Sequence, residues 1–284
     1  MATRLAPARA RRPGILMPFP EYRTAPGIHF STLKFMGQSP LHYRYAQDNP
    51  PAETQAMLLG RATHTAVFEP MRFQLDYAIW QGDRRGTAYQ QFADEAAAQG
   101  RSILKEGEYN TALAIRDSVR GIPEIAALLE RGQAESSFFW VNPQTGLACK
   151  GRLDWIASEG AVLDLKTAST IDPREFSAHA WRMGYFHQAT MYQEAYAITS
   201  GTGTVPRFGI IAVEKEPPHA CRLFWLDPDS LSRAWTEYQG WLRQVKDCIA
   251  SDTWPGPGPV ESELAAPSWA MTEDEAVDFG GLEE

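Results

Sequence analysis

Two consecutive stretches decide the fold: Gly151-Arg152-Leu153-Asp154-Trp155-Ile156-Ala157, and, after Ser158-Glu159-Gly160-Ala161, Val162-Leu163-Asp164-Leu165-Lys166-Thr167. Each reads as a strand, and the four residues between them read as a turn. A hairpin of this kind brings Asp154 and Asp164 close across neighbouring strands. Within the second strand Asp164 and Lys166 share a face, because strand side chains alternate with period two. Val162, Leu163 and Leu165 are apolar, so at least one face of that strand is buried, and charges in such a setting need partners or a metal. Two acids and one amine therefore converge. Hard divalent cations take such oxygen ligands, and Mg²⁺ is typically held by one or two carboxylates plus phosphate oxygens. The same residues also fit solvated charges on an exposed strand, so the rest of the chain must arbitrate.

Upstream of the hairpin the pattern is helical. Residues 31–45 read as a helix with Pro40 as a break. A second helix at 55–68 ends near Glu69-Pro70, where proline discourages continuation. Residues 83–99, 106–120 and 123–131 read as further helices. Glu135 then opens a strand through Val141, with a turn at 142–146 before the acid-bearing hairpin. Downstream, Asp172-Pro173-Arg174-Glu175 carries an acidic cap, an early proline and a glutamate three after the cap, the marks of a helix start. A longer helix spans 184–199, strands follow at 207–214 and 220–226, and an amphipathic helix covers 229–249. The order predicts an α/β fold: a central mixed β-sheet flanked by helices, with a helical N-terminal section, all of 27–250 sharing one core.

The ends differ in composition. Residues 1–26 carry Arg4, Arg9, Arg11 and Arg12 with scattered prolines and no signal-type apolar core, and read as a disordered basic arm. Residues 251–284 hold nine acids with neither lysine nor arginine, so the net charge of −8 belongs to this tail and the remainder is close to neutral. Trp254-Pro255-Gly256-Pro257-Gly258-Pro259 has linker composition, and the tail is expected to be disordered. It serves solubility, or else binds a partner or mimics DNA, with Trp269, Met271, Val277, Phe279 and Leu282 as apolar anchors. No apolar run is long enough to cross a bilayer. Three scattered cysteines, Cys149, Cys221 and Cys248, match no zinc or iron–sulfur spacing and fit a reducing cytoplasm.

Two more elements complete the pattern. Gln188 and Tyr192 lie four apart, on one helix face. His64 ends the run Leu59-Gly60-Arg61-Ala62-Thr63-His64. An early histidine, an Asp, an Asp-x-Lys and a Gln-x-x-x-Tyr helix, in this order, resemble the PD-(D/E)xK nuclease superfamily. More narrowly they resemble its RecE-like (exonuclease VIII, YqaJ-type) and RecB-like branch. The Ser31-Thr32-Leu33-Lys34 helix and Glu135 fit as well. Leu153 stands where the superfamily's nominal motif has proline.

The resemblance implies a restriction-endonuclease-like core and a metal-dependent deoxyribonuclease. The expected activity is a 5′-to-3′ exonuclease on double-stranded DNA ends in phage-type recombination. Mg²⁺ or Mn²⁺ would sit on Asp154, Asp164, the Leu165 carbonyl and His64, with Glu135 as a further candidate. Lys166 would position the water or stabilise developing charge, and Gln188 and Tyr192 would line the site or simply pack. Ser31, Lys34, Arg152, Trp181, Arg182 and Tyr185 are candidate DNA contacts. Arg152 could equally balance the acids, and Trp181 and Tyr185, like the neighbouring His187, could be core residues. No iron–sulfur cluster is expected. A single-strand annealing protein and a homo-oligomeric ring are the implied partners, without a membrane. The alternatives are a RecB-like endonuclease, a CRISPR-associated end-processing nuclease, a non-catalytic DNA-binding or assembly protein on the same scaffold, and a metal-free acid/base pair acting on a sugar.

Overall fold

The computed structural model describes residues 14–201, 203–259 and 261–265. Its centre is a six-stranded mixed sheet of β1 (Ile15–Leu16), β4 (Gly132–Val141), β5 (Ala148–Ala157), β6 (Val162–Ala168), β7 (Phe208–Glu214) and β8 (Cys221–Trp225), in that spatial order. β4, β5 and β6 form an antiparallel meander. β6 and β7 are parallel, as a helical crossover demands. That crossover is α9 (Pro173–Arg182) and α10 (Tyr185–Thr199). Asp172 caps α9 by accepting the Arg174 and Glu175 amides.

Helices cover both faces of the sheet. On one face α10 and α11 (Pro228–Ser251) pack with α2 (Phe30–Leu33) and α3 (Pro40–Asp48), burying Leu153, Met191, Tyr238, Leu242 and Val245. On the other, α4 (Gln55–Phe68), α7 (Glu106–Arg120) and α8 (Pro123–Glu130) close over Trp155, Leu163, Leu165 and Ile211. This double cover explains the unbroken buried run from Val162 to Leu165: a strand enclosed on two sides has no exposed face to alternate with. Each fully buried apolar side chain here contributes about 1.5–3 kcal/mol. Among the described residues, no helix is long and apolar enough to cross a membrane.

The structure refines the sequence reading in four places. Pro40 does break the 31–45 helix, giving α2, a 3₁₀ turn (Lys34–Gly37) and α3, with Ser39 capping α3. Pro70 ends α4 but immediately starts α5 (Pro70–Asp76), and a small parallel pair, β2 (Tyr77–Trp80) with β3 (Ser102–Lys105), flanks α6 (Gly86–Ala98); four-residue strands are too short to show a period. Residues 14–26, expected in the disordered arm, are ordered as β1 and α1 (Phe19–Thr24) because side chains of β5 hold their carbonyls. Beyond α11, Trp254 stacks on Tyr43 at 5.8 Å and the Pro255 carbonyl accepts the Leu41 amide, so the first residues of the tail pack on α3. The rest of the arm, 1–13, and of the tail, 266–284, including Trp269, Met271, Val277, Phe279 and Leu282, lies outside the described residues.

Candidate metal centre

The site forms where β5 and β6 part. Their ladder comprises only Trp155 with Leu163 and Ile156 with Val162. One step further along that register Asp154 faces Asp164, but the strands have diverged. The Asp154 Oδ2 atom takes the Leu165 amide at 3.0 Å instead, a side-chain bond in place of a ladder bond. On the other side, the β4–β5 register sets Glu135 opposite Asp154, and directly opposed residues share a face. The pleat is disturbed here. Leu153 belongs to the core beside α10, whereas Trp155 and Ala157 belong to the core beside α4, although two-residue steps keep a regular strand on one face. Glu135 carries the distortion with φ 51°, a left-handed backbone that a non-glycine residue adopts only when its surroundings impose it.

Three acids thus lie in a row across β4, β5 and β6, and α4 lowers a histidine onto it. His64 Nδ1 is 3.2 Å from Asp154 Oδ2. Ligand atoms of His64, Glu135 and Asp154 all lie within 4.8 Å of one another. Asp164, 2 % exposed, is paired with Lys166, whose Nζ stands 2.7 Å from its Oδ2. The pair is ionic rather than well aligned, since Asp164 Oδ2 is buried without a hydrogen bond of good geometry. A buried carboxylate oxygen in this condition has capacity left for a cation. Next to it, the imidazole of His64 and the carboxylates of Glu135 and Asp154 make a donor set that suits a hard or borderline divalent ion.

The electrostatics agree. Burial pushes Asp164 up to about 6; Lys166 opposes that rise and Asp154 adds to it. Burial also raises Glu135, with Asp154 next in effect. Burial alone would lower His64, but the Asp154 charge wins and carries it up to about 9. Asp154 feels burial first, yet His64 and Lys166 hold it below the usual carboxylate range. Lys166 is likewise pulled down by burial and raised further by Asp164 and Asp154, so it remains an ammonium. Without a cation, then, the cluster keeps protons and internal ion pairs to balance crowded negative charge.

Of the residues singled out from sequence, Asp154, Asp164, Lys166, His64 and Glu135 come together. Leu165 meets the site through its N–H. Tyr185 places its ring 4.8 Å from the Lys166 ammonium. Gln188 donates to the Tyr192 hydroxyl at 3.2 Å, and Tyr192 is buried with its pKa raised by that burial and by the nearby Tyr22. Lys34 reaches the same region: burial lowers its pKa and the Lys166 charge lowers it further. Ser31 is exposed and bonds His29 Nδ1 at 2.6 Å.

The expected aromatic and basic cluster at 181–187 is divided. Trp181 and His187 turn toward α11, where His187 stacks on Trp241 at 4.6 Å and bonds Glu237 at 2.8 Å. Tyr185 and His187 are two apart on a helix and so point to different sides, which no grouping by sequence proximity can respect. Arg182 is exposed. Arg152 donates to Glu135 Oε2 at 2.6 Å, to Ser137 Oγ at 2.9 Å and to the Met17 carbonyl at 2.7 Å, so its guanidinium is engaged inside the protein. Tyr22 of α1 was not foreseen. Its ring lies 5.0 Å from Lys150 Nζ and 5.8 Å from the Arg152 guanidinium. A lone tyrosine in an arginine- and proline-rich lead segment gives no local signal of these contacts.

A family model described as a PDDEXK-like domain of unknown function (DUF3799) matches residues 29–263, and the chain belongs to that family. Among solved structures it is similar to a Eubacterium rectale protein described as a "Putative exonuclease". The TM-score is 0.59 at 16% identity, over 89% of this chain and 96% of that one, which establishes a shared fold. The structure of SSO0001 aligns over 71% of this chain and 83% of its own at 13% identity, with a TM-score of 0.28 that bears no weight. No curated protein matches the sequence.

Proposed function

We propose that this PDDEXK-like family member is a metal-dependent deoxyribonuclease acting as a 5′-to-3′ exonuclease on double-stranded DNA ends. The observation that carries the reading is the convergence of Asp154, Asp164, Lys166 and His64 at the fork between β5 and β6. The name borne by the Eubacterium rectale protein of like fold supports it. His64, Glu135 and Asp154 would hold a divalent ion, Mg²⁺ or Mn²⁺, with Asp164 beside them. When bound, such an ion polarises a phosphate and lowers the pKa of a coordinated water.

The protein's own residues supply the rest. Asp154 is fixed by the Leu165 amide, so its carboxylate cannot rotate away when a charged substrate arrives. Lys166 is protonated and half-buried, which suits it to hold a water and to stabilise negative charge growing on the phosphate, and not to accept a proton. Tyr185 backs the ammonium and limits its swing. Gln188 and Tyr192 form a wall on α10. Lys34 adds a second positive charge for the phosphate backbone. A cytoplasmic role in phage-type recombination, with a single-strand annealing protein as partner and a ring of identical subunits around DNA, completes the proposal.

The test uses linear duplexes labelled separately at each 5′ and 3′ end and a covalently closed circle of the same sequence, with Mg²⁺ or with EDTA. The expected result is stepwise loss from 5′ ends of the linear duplex, an intact circle and no reaction in EDTA. Equal cleavage of the circle would replace the exonuclease by an endonuclease, and activity in EDTA would remove the metal mechanism.

A further inference from the structure

Residues 14–27 form a strap beside the site. Its start is fixed by β1 pairing with β4, Ile15 opposite Ser137 and Leu16 opposite Ser136. Gly14 has φ 89°, and a Cβ there would meet the Phe138 ring at 2.8 Å, so only glycine lets the strap dock. Its far end is fixed by Lys150 of β5, 4 % exposed, whose ammonium donates to the carbonyls of Tyr22, Arg23 and Ala25 at 3.1, 3.1 and 2.5 Å. These carbonyls close the C-terminus of α1, where a cation is favourable. At Gly27, φ is 134° and a Cβ would crowd the Cys149–Lys150 backbone.

The middle of the strap is held by Arg152 alone among the β5 side chains: its Nη1 takes the Met17 carbonyl while its Nε takes Glu135 Oε2. One guanidinium thus joins the strap to the acid that occupies a strained backbone position. Glu135 and Asp154 are close like charges, and Arg152 opposes their repulsion. With one oxygen engaged by Arg152, the Glu135 carboxylate has the other to offer a cation or its water.

We propose that Arg152 is a positioning residue that couples docking of the 14–27 strap to completion of the His64–Glu135–Asp154 cation site. This rests on the metal-site reading above, not on the substrate. Groups that orient metal ligands change metal affinity by about 10–100-fold when removed. Coupling between two sites is reciprocal, so the cation must also secure the strap.

The experiment measures Mn²⁺ binding by titration calorimetry in the full chain, as wild type and as Arg152→Gln, Gly14→Val, Glu135→Gln and Arg152→Gln/Glu135→Gln. Arg152→Gln and Gly14→Val should each weaken Mn²⁺ binding about tenfold or more, whereas adding Arg152→Gln to Glu135→Gln should change nothing further. In parallel, saturating Mn²⁺ should slow tryptic cleavage after Arg23 several-fold in the wild type and not in Arg152→Gln. If Arg152→Gln does not fold, Arg152→Lys takes its place, since an ammonium at a single point does not reproduce the separate Nε and Nη1 donors that meet Glu135 and Met17, and the same weakening is expected. Wild-type Mn²⁺ affinity in the Arg152 and Gly14 variants, or equal effects of Arg152→Gln with and without Glu135, overturns the coupling. Normal Mn²⁺ coupling in a protein that cuts no DNA would instead overturn the nuclease reading alone.

Discussion

Replacing Glu194 by glutamine tests how α10, the helix that carries Gln188 and Tyr192, is held in place. The Glu194 carboxylate is buried under four donors. Trp140 Nε1 and Tyr238 OH reach Oε2 at 2.9 and 2.6 Å, and Asn142 Nδ2 and Gln239 Nε2 reach Oε1 at 2.8 and 3.2 Å. The hub ties β4, α10 and α11 together. A glutamine has the same shape but only one acceptor oxygen. Asn142 cannot flip to meet its NH₂, because Asn142 Oδ1 already accepts from the Gln144 and Thr145 amides and the Thr145 hydroxyl. Gln239 is fixed likewise, with its Oε1 accepting from Asn142. The new amide must therefore face Trp140 and Tyr238. Tyr238 can turn its hydroxyl to accept, but an indole N–H can only donate, and it is left against another donor.

Hydrogen bonds to a charged acceptor contribute about 1.5–3 kcal/mol each and neutral ones about 0.5–1.5. Losing the Trp140 bond and weakening three others costs about 5 kcal/mol on these values. Relief of a buried charge returns part of this, leaving a net destabilisation of about 2–4 kcal/mol. Urea unfolding followed by circular dichroism should show a lower midpoint at unchanged slope. Tyr238→Phe, which removes one donor and leaves Trp140 in place, should cost about 1.5–3 kcal/mol. The two changes together should cost less than the sum of the single changes, since both act on one carboxylate. Stability within about 0.5 kcal/mol of the wild type in Glu194→Gln would refute the reasoning, since that is the scatter of inconsequential surface changes.

Other outcomes follow from the site. Lys166→Ala should lower DNA cleavage by at least about 100-fold, the scale of losing one charge-stabilising donor, while the fold persists; single-turnover rates on an end-labelled duplex decide this, and a rate within about threefold of the wild type would exclude the assigned role. Metal binding should release protons, because His64 is raised to about 9 and must lose its proton to ligate. Calorimetric titrations at pH 7.5 in buffers of different ionisation enthalpy should report about one proton released per ion. That number should fall toward zero as the pH passes 9, and rise below pH 6 where Asp164 also carries a proton; buffer-independent heats at pH 7.5 would contradict it. Tyr185→Ala should lower the single-turnover rate more than it raises the DNA concentration needed for half-maximal rate, because the ring backs the ammonium that meets charge growing on the phosphate; an unchanged rate would count against this.

The strand–turn–strand of 151–167 was legible because its information is local: two apolar runs, a glycine-containing turn, and a period of two that places Asp164 and Lys166 together. The Gln188–Tyr192 pair was legible for the same reason at helical spacing. Nothing local announces that β5 and β6 part after two ladder pairs, or that Glu135 adopts a left-handed backbone. Those features arise because β4 and β5 change the face they present at one row, a property of neighbouring strands together. The strap escaped notice since its folding depends on Lys150 and Arg152, residues more than a hundred positions later, acting on backbone carbonyls whose identity no side chain encodes. Trp181 and His187 went to α11 and Tyr185 to Lys166 by helix phase relative to a partner helix absent from the local sequence. Sequence alone therefore supplied the chemical groups and the pieces that carry them, whereas the tertiary fold chose which groups meet, because burial of close like charges is tolerable only where distant chain segments bring the compensating cations.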